Sequence, residues 1–462
     1  MNRAELLRTV GRGLGLAVLV VFLAGARWFH ARLGGGVAWS DETTMALGFL
    51  FLTAFVAGRL ATSLRLPMIT GYLLAGIVVG PEALGLITRG TIENLALLNR
   101  LAIGLIAFIA GGELRPTMLR ERGRAIGVML VVEVALVLVL VAGVLLAFRP
   151  FVPFLADVPM AAAVVLALVF ASVATVHSPS VTIALLGELR PRGPVTTTTL
   201  GIVVAADVLV VIMVTLSLSI AKALVGGGGL EAAFFLSIAR ELVGALVAGA
   251  LAGALTDLYL RFIGAHLPIF IIFLALLGYE VAQAIHVEFM LFMLAAGFFV
   301  ENVSPVDGGP LVRAVENVSL PAYALFFALA GASIHLTELM RLWPLALGVV
   351  MVRACGIWLG CRAGARLVRA EDAVRRYTWM GLISQAGVAL GLVTVAARVL
   401  PEAGGAMRTL FLAMIAVHEV VGPVLFRTAL ARSGELGAAE AETQPVSGPY
   451  IAGGPRTEPL RP

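Results

Sequence analysis

Apolar runs of about 20 residues recur along the chain from Leu47 to Leu430, parted only by short polar connections. At about 1.5 Å per residue, each can cross a hydrocarbon layer roughly 30 Å thick. A bilayer interior offers backbone amides no water, so a chain of this pattern must fold as helices that close their hydrogen bonds within each segment. Composition agrees, with 60% hydrophobic and 13% charged residues, which excludes a soluble domain of this size. The length rule places helices near 44–63, 68–88, 95–114, 125–148, 160–187, 195–222, 232–259, 267–285, 287–303, 318–334, 343–366, 377–398 and 406–431. The expected fold is an all-α, polytopic membrane protein of about thirteen spans.

The formal charge of +5 comes from arginines, with Lys222 the only lysine. It bears on topology, and no nucleic-acid partner is expected. Arg115, Arg120, Arg122 and Arg124 fall in one connection, and Arg362, Arg366, Arg369, Arg375 and Arg376 in another. Alternating spans put both on one side, which the positive-inside rule makes cytoplasmic, together with the C-terminus. Cys355 and Cys361 share one apolar segment at a spacing unsuited to a disulfide, and they read as packing residues. The chain divides into residues 1–43, a membrane domain 44–431, and a Gly-, Pro- and Glu-rich tail 432–462 expected to be disordered. Within the first part, Arg3, Arg8 and Arg12 precede an apolar stretch ending LAGARW. That pattern suits either a secretory signal or an extra spanning helix.

The sharpest chemical feature is LGIVVAADVLVVIMVTL, Leu200–Leu216, whose one ionisable side chain is Asp207. A carboxylate at the centre of a membrane helix costs about 2.5–3.5 kcal/mol on insertion scales, and Asp is too short to snorkel. A proton and a cation compete for such a group, which is enough to make an exchanger. The preceding helix is interrupted by Thr175, His177, Ser178, Pro179 and Ser180. Pro179 removes a backbone donor, so carbonyls near Thr175 and Val176 are expected to lose helical partners. Freed carbonyls suit a dehydrated monovalent cation, though a proline kink satisfied by Ser and Thr hydroxyls explains the same residues.

The second half repeats this order. A helix with Arg353 precedes the glycine-interrupted GLISQAGVALGLV, which holds Gln385, and then a helix with Glu419. In the first half, Glu133 lies before the interruption and Asp207 after it. The triplets are offset by an odd number of spans, so inverted repeats with two broken crossover helices are expected. The sequence HEVVGP begins like a zinc-protease motif, but Gly422 stands where the second His belongs, so that reading fails. No cofactor and no enzymatic activity are expected. His177 reads as a pH sensor or a structural histidine, and Glu419 as a second proton carrier or a partner for a helix dipole. Gly249 to Gly253 and Gly356 to Gly360 read as close-packing contacts between helices.

Four stretches carry a resemblance. LPMITGYLLAGIVVGPEALGL (Leu66–Leu86), FIAGGELRP (Phe108–Pro116), ATVHSPSVTIALLGEL (Ala174–Leu189) and HEVVGPVLFRTALARSGE (His418–Glu435) resemble elements of the bacterial monovalent cation:proton antiporter-2 family, a sodium/hydrogen exchanger-like membrane domain. The resemblance implies a homodimer of thirteen-helix chains in the bacterial inner membrane. In each, a six-helix core moves against a fixed scaffold and exchanges Na⁺ or K⁺ for H⁺. It makes Asp207 the ion- and proton-binding group, with Thr175 and Ser178 beside it and Ser178 in place of a family Asp. The position before Asp207, Asp or Asn in relatives, is Ala206. One carboxylate carries one proton, so electroneutral exchange is expected. Arg353 matches the family's basic residue and is expected to pair with Glu133. His177, Gln385 and Glu419 are secondary candidates. A gated potassium channel or an organic-anion carrier on the same fold are the alternatives. The first would keep a carbonyl filter, and TVGYG is absent.

Overall fold

The computed structural model describes residues 42–114, 116–225, 232–306, 309–385 and 387–436, with isolated positions between 13 and 21. The expected signal or extra helix and most of the expected tail, residues 437–462, lie outside the described residues.

Every regular element among the described residues is a helix. The first half comprises α1 (Glu42–Ser63), α2 (Met68–Val79), α3 (Arg89–Asn94), α4 (Ala96–Glu113), α5 (Pro116–Ala147), α6 (Met160–Ala174), α7 (Pro179–Leu189) and α8 (Pro194–Val225). The second comprises α9 (Ala232–Phe262), α10 (Leu267–Ala284), α11 (Phe289–Asn302), α12 (Gly309–Ala332), α13 (Leu336–Leu367), α14 (Asp372–Gly381), α15 (Gly387–Val399) and α16 (Pro401–Ser433). Among the described residues, eight segments are long and apolar enough to cross a membrane, and four shorter apolar helices accompany them. The chain is a multi-pass membrane protein. Helix α2 stops well short of the expected residue 88, because Gly80 turns extended and Pro81 cannot donate into a further turn. At the other end, α16 runs to Ser433 and Glu435 is buried, so residues 432–436 are part of the fold rather than of a tail.

Two groups of helices follow from the packing. One apolar core is built by α5, α6, α8 and α13–α16. The others are built mainly by α1, α2, α4, α7 and α12, and by α4 with α9–α12. Glycines sit where helices press closest. Gly356, Gly360 and Gly364 of α13 lie on the backbone of Val137, Glu133 and Met129 of α5. Gly111 and Gly297 join α4 to α11 in the same way, and Gly249 joins α9 to α11. The two arginine-rich connections meet where Arg122 pairs with Glu371 at 2.9 Å, so both lie at one end of the bundle.

Candidate ion-binding site

The first interruption is a true break. Helix α6 ends at Ala174, residues 176–178 are non-helical, and α7 starts at Pro179, whose fixed φ and missing donor suit a first helical position. The Thr175 hydroxyl donates to the Ser172 carbonyl at 2.7 Å, and the Ser178 hydroxyl accepts from the Val181 amide at 3.3 Å as the cap of α7. Both oxygens keep a lone pair for a further ligand. The second break separates α14 from α15, with residues 383–385 non-helical and buried.

Arg353 joins the two breaks. Its guanidinium is fully buried and its five N–H groups all find acceptors. Nε donates to the Ala174 carbonyl at 2.6 Å, and Nη2 to Val176 at 2.8 Å and Leu382 at 3.4 Å. Nη1 donates to the Ile383 carbonyl at 2.8 Å and faces His418 Nε2 at 3.5 Å. A guanidinium only donates, so His418 accepts at Nε2 and carries its proton on Nδ1. The Ala174 and Val176 carbonyls at the first break are therefore held by a resident cation, with Gln385 Nε2 donating to Ala174 as well at 3.1 Å.

The expected partner of Arg353 meets a different group. Glu133 Oε2 lies 3.3 Å from His177 Nε2, both residues being buried. His177 Nδ1 lies 2.8 Å from the Leu382 carbonyl, which can only accept, so Nδ1 bears a proton. The Glu133–His177 contact joins α5 to the first break. Glu133, His177, Arg353, Gln385 and His418 thus form one polar cluster tying α5 and α13 to both breaks. Glu419, next to His418, is buried too.

Asp207 stands outside this cluster. It lies mid-way along α8, partly buried, beside the fully buried Ala206. Its Oδ1 is buried without a hydrogen-bond partner among the described residues. Helix α8 packs on α6, which brings Ser217 Oγ within 2.9 Å of Ser172 Oγ next to the first break.

With this arrangement of two breaks, a bridging arginine and a lone carboxylate in view, comparison with known proteins is decisive. The sequence profile of the family described as sodium/hydrogen exchanger, transmembrane, matches residues 50–431. The chain belongs to the sodium/hydrogen exchanger family. The fold is also similar to that of the sodium proton antiporter MjNhaP1 from Methanocaldococcus jannaschii at pH 8, with a TM-score of 0.61, 16% identity, and coverage of 85% of this chain and 99% of that one. An electron-microscopy structure of MjNhaP1 gives a TM-score of 0.61 at 18% identity, covering 85% of this chain and 96% of the other. The chain is a transporter rather than an enzyme.

Three features of this exchanger are not evident from sequence. His418 helps enclose Arg353. Glu288, just before α11, caps its own helix through the amides of Met290 at 3.0 Å and Leu291 at 2.5 Å. Ser384, in the second break, touches the position of Gly422 on α16. An acid directly before the apolar run of α11 was the one available signal, as a cap residue.

Proposed function

We propose that this exchanger moves Na⁺ or K⁺ against H⁺, one for one, with Asp207 taking proton and cation in turn as the site opens to each side of a bacterial inner membrane. The observation that carries this reading is Asp207 itself, an acid in the middle of an apolar helix with a buried oxygen that no described group satisfies. Such an oxygen must find a proton or a cation. Thr175 and Ser178 supply neutral oxygens near the first break, and Arg353 and Glu133 hold the crossover together. The working unit is a homodimer with its C-terminus in the cytoplasm.

The position of Arg353 argues against both alternatives. A carbonyl-lined channel needs open carbonyls, and two at each break, Ala174 and Val176, Leu382 and Ile383, are engaged by the guanidinium. An organic-anion carrier needs free N–H donors, and Arg353 has none left. Purified protein in liposomes with an internal pH dye tests the proposal. Na⁺ or K⁺ added outside should drive proton movement that is equal with and without an imposed voltage. A rate that follows voltage would contradict one-for-one exchange, and absence of cation-driven proton movement would contradict exchange altogether.

A further inference from the structure

Helix α2 is fixed to one group of helices along its length and tied to the other at its two ends. A methyl group at Gly76 would strike the Ala328 carbonyl, and one at Gly331 the Leu73 carbonyl, so α2 and α12 lie backbone to backbone. Gly71 meets the Ala57 carbonyl of α1 in the same manner. Packing this close leaves no room for sliding. Between this group and the helices of the crossover, glycine contact is of another kind. Gly187 is the one described glycine that reaches across, and a methyl group there would lie 3.4 Å from the Tyr323 ring, an ordinary van der Waals distance. Apolar contact across the seam comes from Leu73 with Ile334 and Ala416 and from the core that α7 and, through Phe426, Ala429 and Leu430, α16 share with α2 and α12.

The polar ties are at the ends. At the start of α2, Glu188 of α7 accepts from the Met68 amide at 2.7 Å and the Ile69 amide at 3.4 Å. Beside it, Arg427 of α16 donates to the Arg65 carbonyl at 2.6 Å. Past the far end, Glu82 accepts from the Thr337 amide in the first turn of α13 at 2.8 Å, and from Arg89 at 2.6 Å. Each carboxylate sits at a helix N-terminus, Glu188 of the crossover helix α7 at the start of α2 and Glu82 beyond the end of α2 at the start of α13, where unpaired amides and the helix dipole favour it. The 12 residues of α2 set the two ties about 18 Å apart along its axis.

Resting on the transport reading above, we propose that Glu188 and Glu82 are two latches that hold the crossover helices against α2 in the state seen here. Both must release for the site to open to the other side. A shift of a few ångströms along α2 takes both hydrogen bonds beyond their range, so the latches open together.

The test reads the relative position of the two groups directly. Spin labels on Leu64→Cys and Arg432→Cys, with Cys355 and Cys361 replaced, report the distance between the α1–α2 connection and the end of α16. In full-length protein, Glu188→Gln and Glu82→Gln should each move the population towards a second distance, changing the ratio roughly fivefold, the size expected for one charge at a helix terminus. Glu93→Gln, exposed on α3, should change nothing. A disulfide between Glu82→Cys and Thr337→Cys should abolish the second distance. An unchanged distribution in both Gln variants, or a second distance that persists in the cross-linked protein, would overturn the latches. Proton movement recorded on the same liposomes separates the two ideas. A population shift without cation-driven proton movement would refute exchange and leave the latches standing.

Discussion

At the scale of the residue, Arg353 decides how the centre of the molecule is built. Four backbone carbonyls and one ring nitrogen receive its five protons, so the charge is dispersed over two chain breaks rather than spent on one acid. Arg353→Met should lower stability by about 3 kcal/mol or more, since each buried carbonyl left unpaired costs about 1–3 kcal/mol. Arg353→Lys should recover part of that loss, because an ammonium has three donors and cannot span both breaks. Thermal unfolding in detergent checks both, and a Lys variant as stable as the parent would refute the five-bond description. Arg353 and Glu133 were legible in the sequence as costly buried charges, but their partners were not. Periodicity tells which face of a helix is buried and is silent on which carbonyls a neighbouring chain break presents.

At the scale of the element, the lengths of the apolar runs and the punctuation by Pro179 and by glycine located the helices and both breaks. Carboxylate caps escaped that reading. Glu188, Glu435 and Glu82 accept from amides 120, 240 and 255 positions away, far outside any sequence window. Glu435 holds the first turn of α8 through the amides of Val195 at 2.7 Å and Thr196 at 2.8 Å. Glu435→Ala should therefore cost about 0.5–2 kcal/mol, the usual price of a lost cap, and raise hydrogen exchange at residues 195–197 ahead of the rest of α8. Exchange that is uniform along α8 would count against the cap. Gly360→Ala should cost about 1–3 kcal/mol, because the new methyl meets the backbone of Glu133. Relief of that loss by shortening Glu133 would be unexpected, as the clash is with the main chain as well as the side chain.

At the scale of the whole molecule, the seam between the two groups of helices carries a pH dependence of its own. Burial pushes the Glu82 carboxyl up, but hydrogen bonds from Thr337, the field of His335 and the Arg89 contact outweigh it and hold the group below the usual carboxylate range. His335, just before α13, is held below its ordinary value by burial. Glu82 therefore strengthens the seam at pH above its unfolded value, and that contribution disappears as pH falls through the lower folded value. His335 adds a penalty as pH falls through the ordinary histidine range, where the unfolded chain takes up a proton and the folded one resists. Acidification should loosen the Thr337 amide first, which hydrogen exchange between pH 7 and about 4 detects. Protection at Thr337 that holds or grows across this range would contradict the sign.

The family match fixes the class of the molecule, and the chemistry proposed for it rests on Asp207. The most direct measurement is cation-driven proton movement in liposomes containing the Asp207→Asn variant, beside parent protein of equal thermal stability. The carboxylate reading predicts loss of coupled movement with the fold intact. An Asn variant that couples cation to proton as fast as the parent would contradict it.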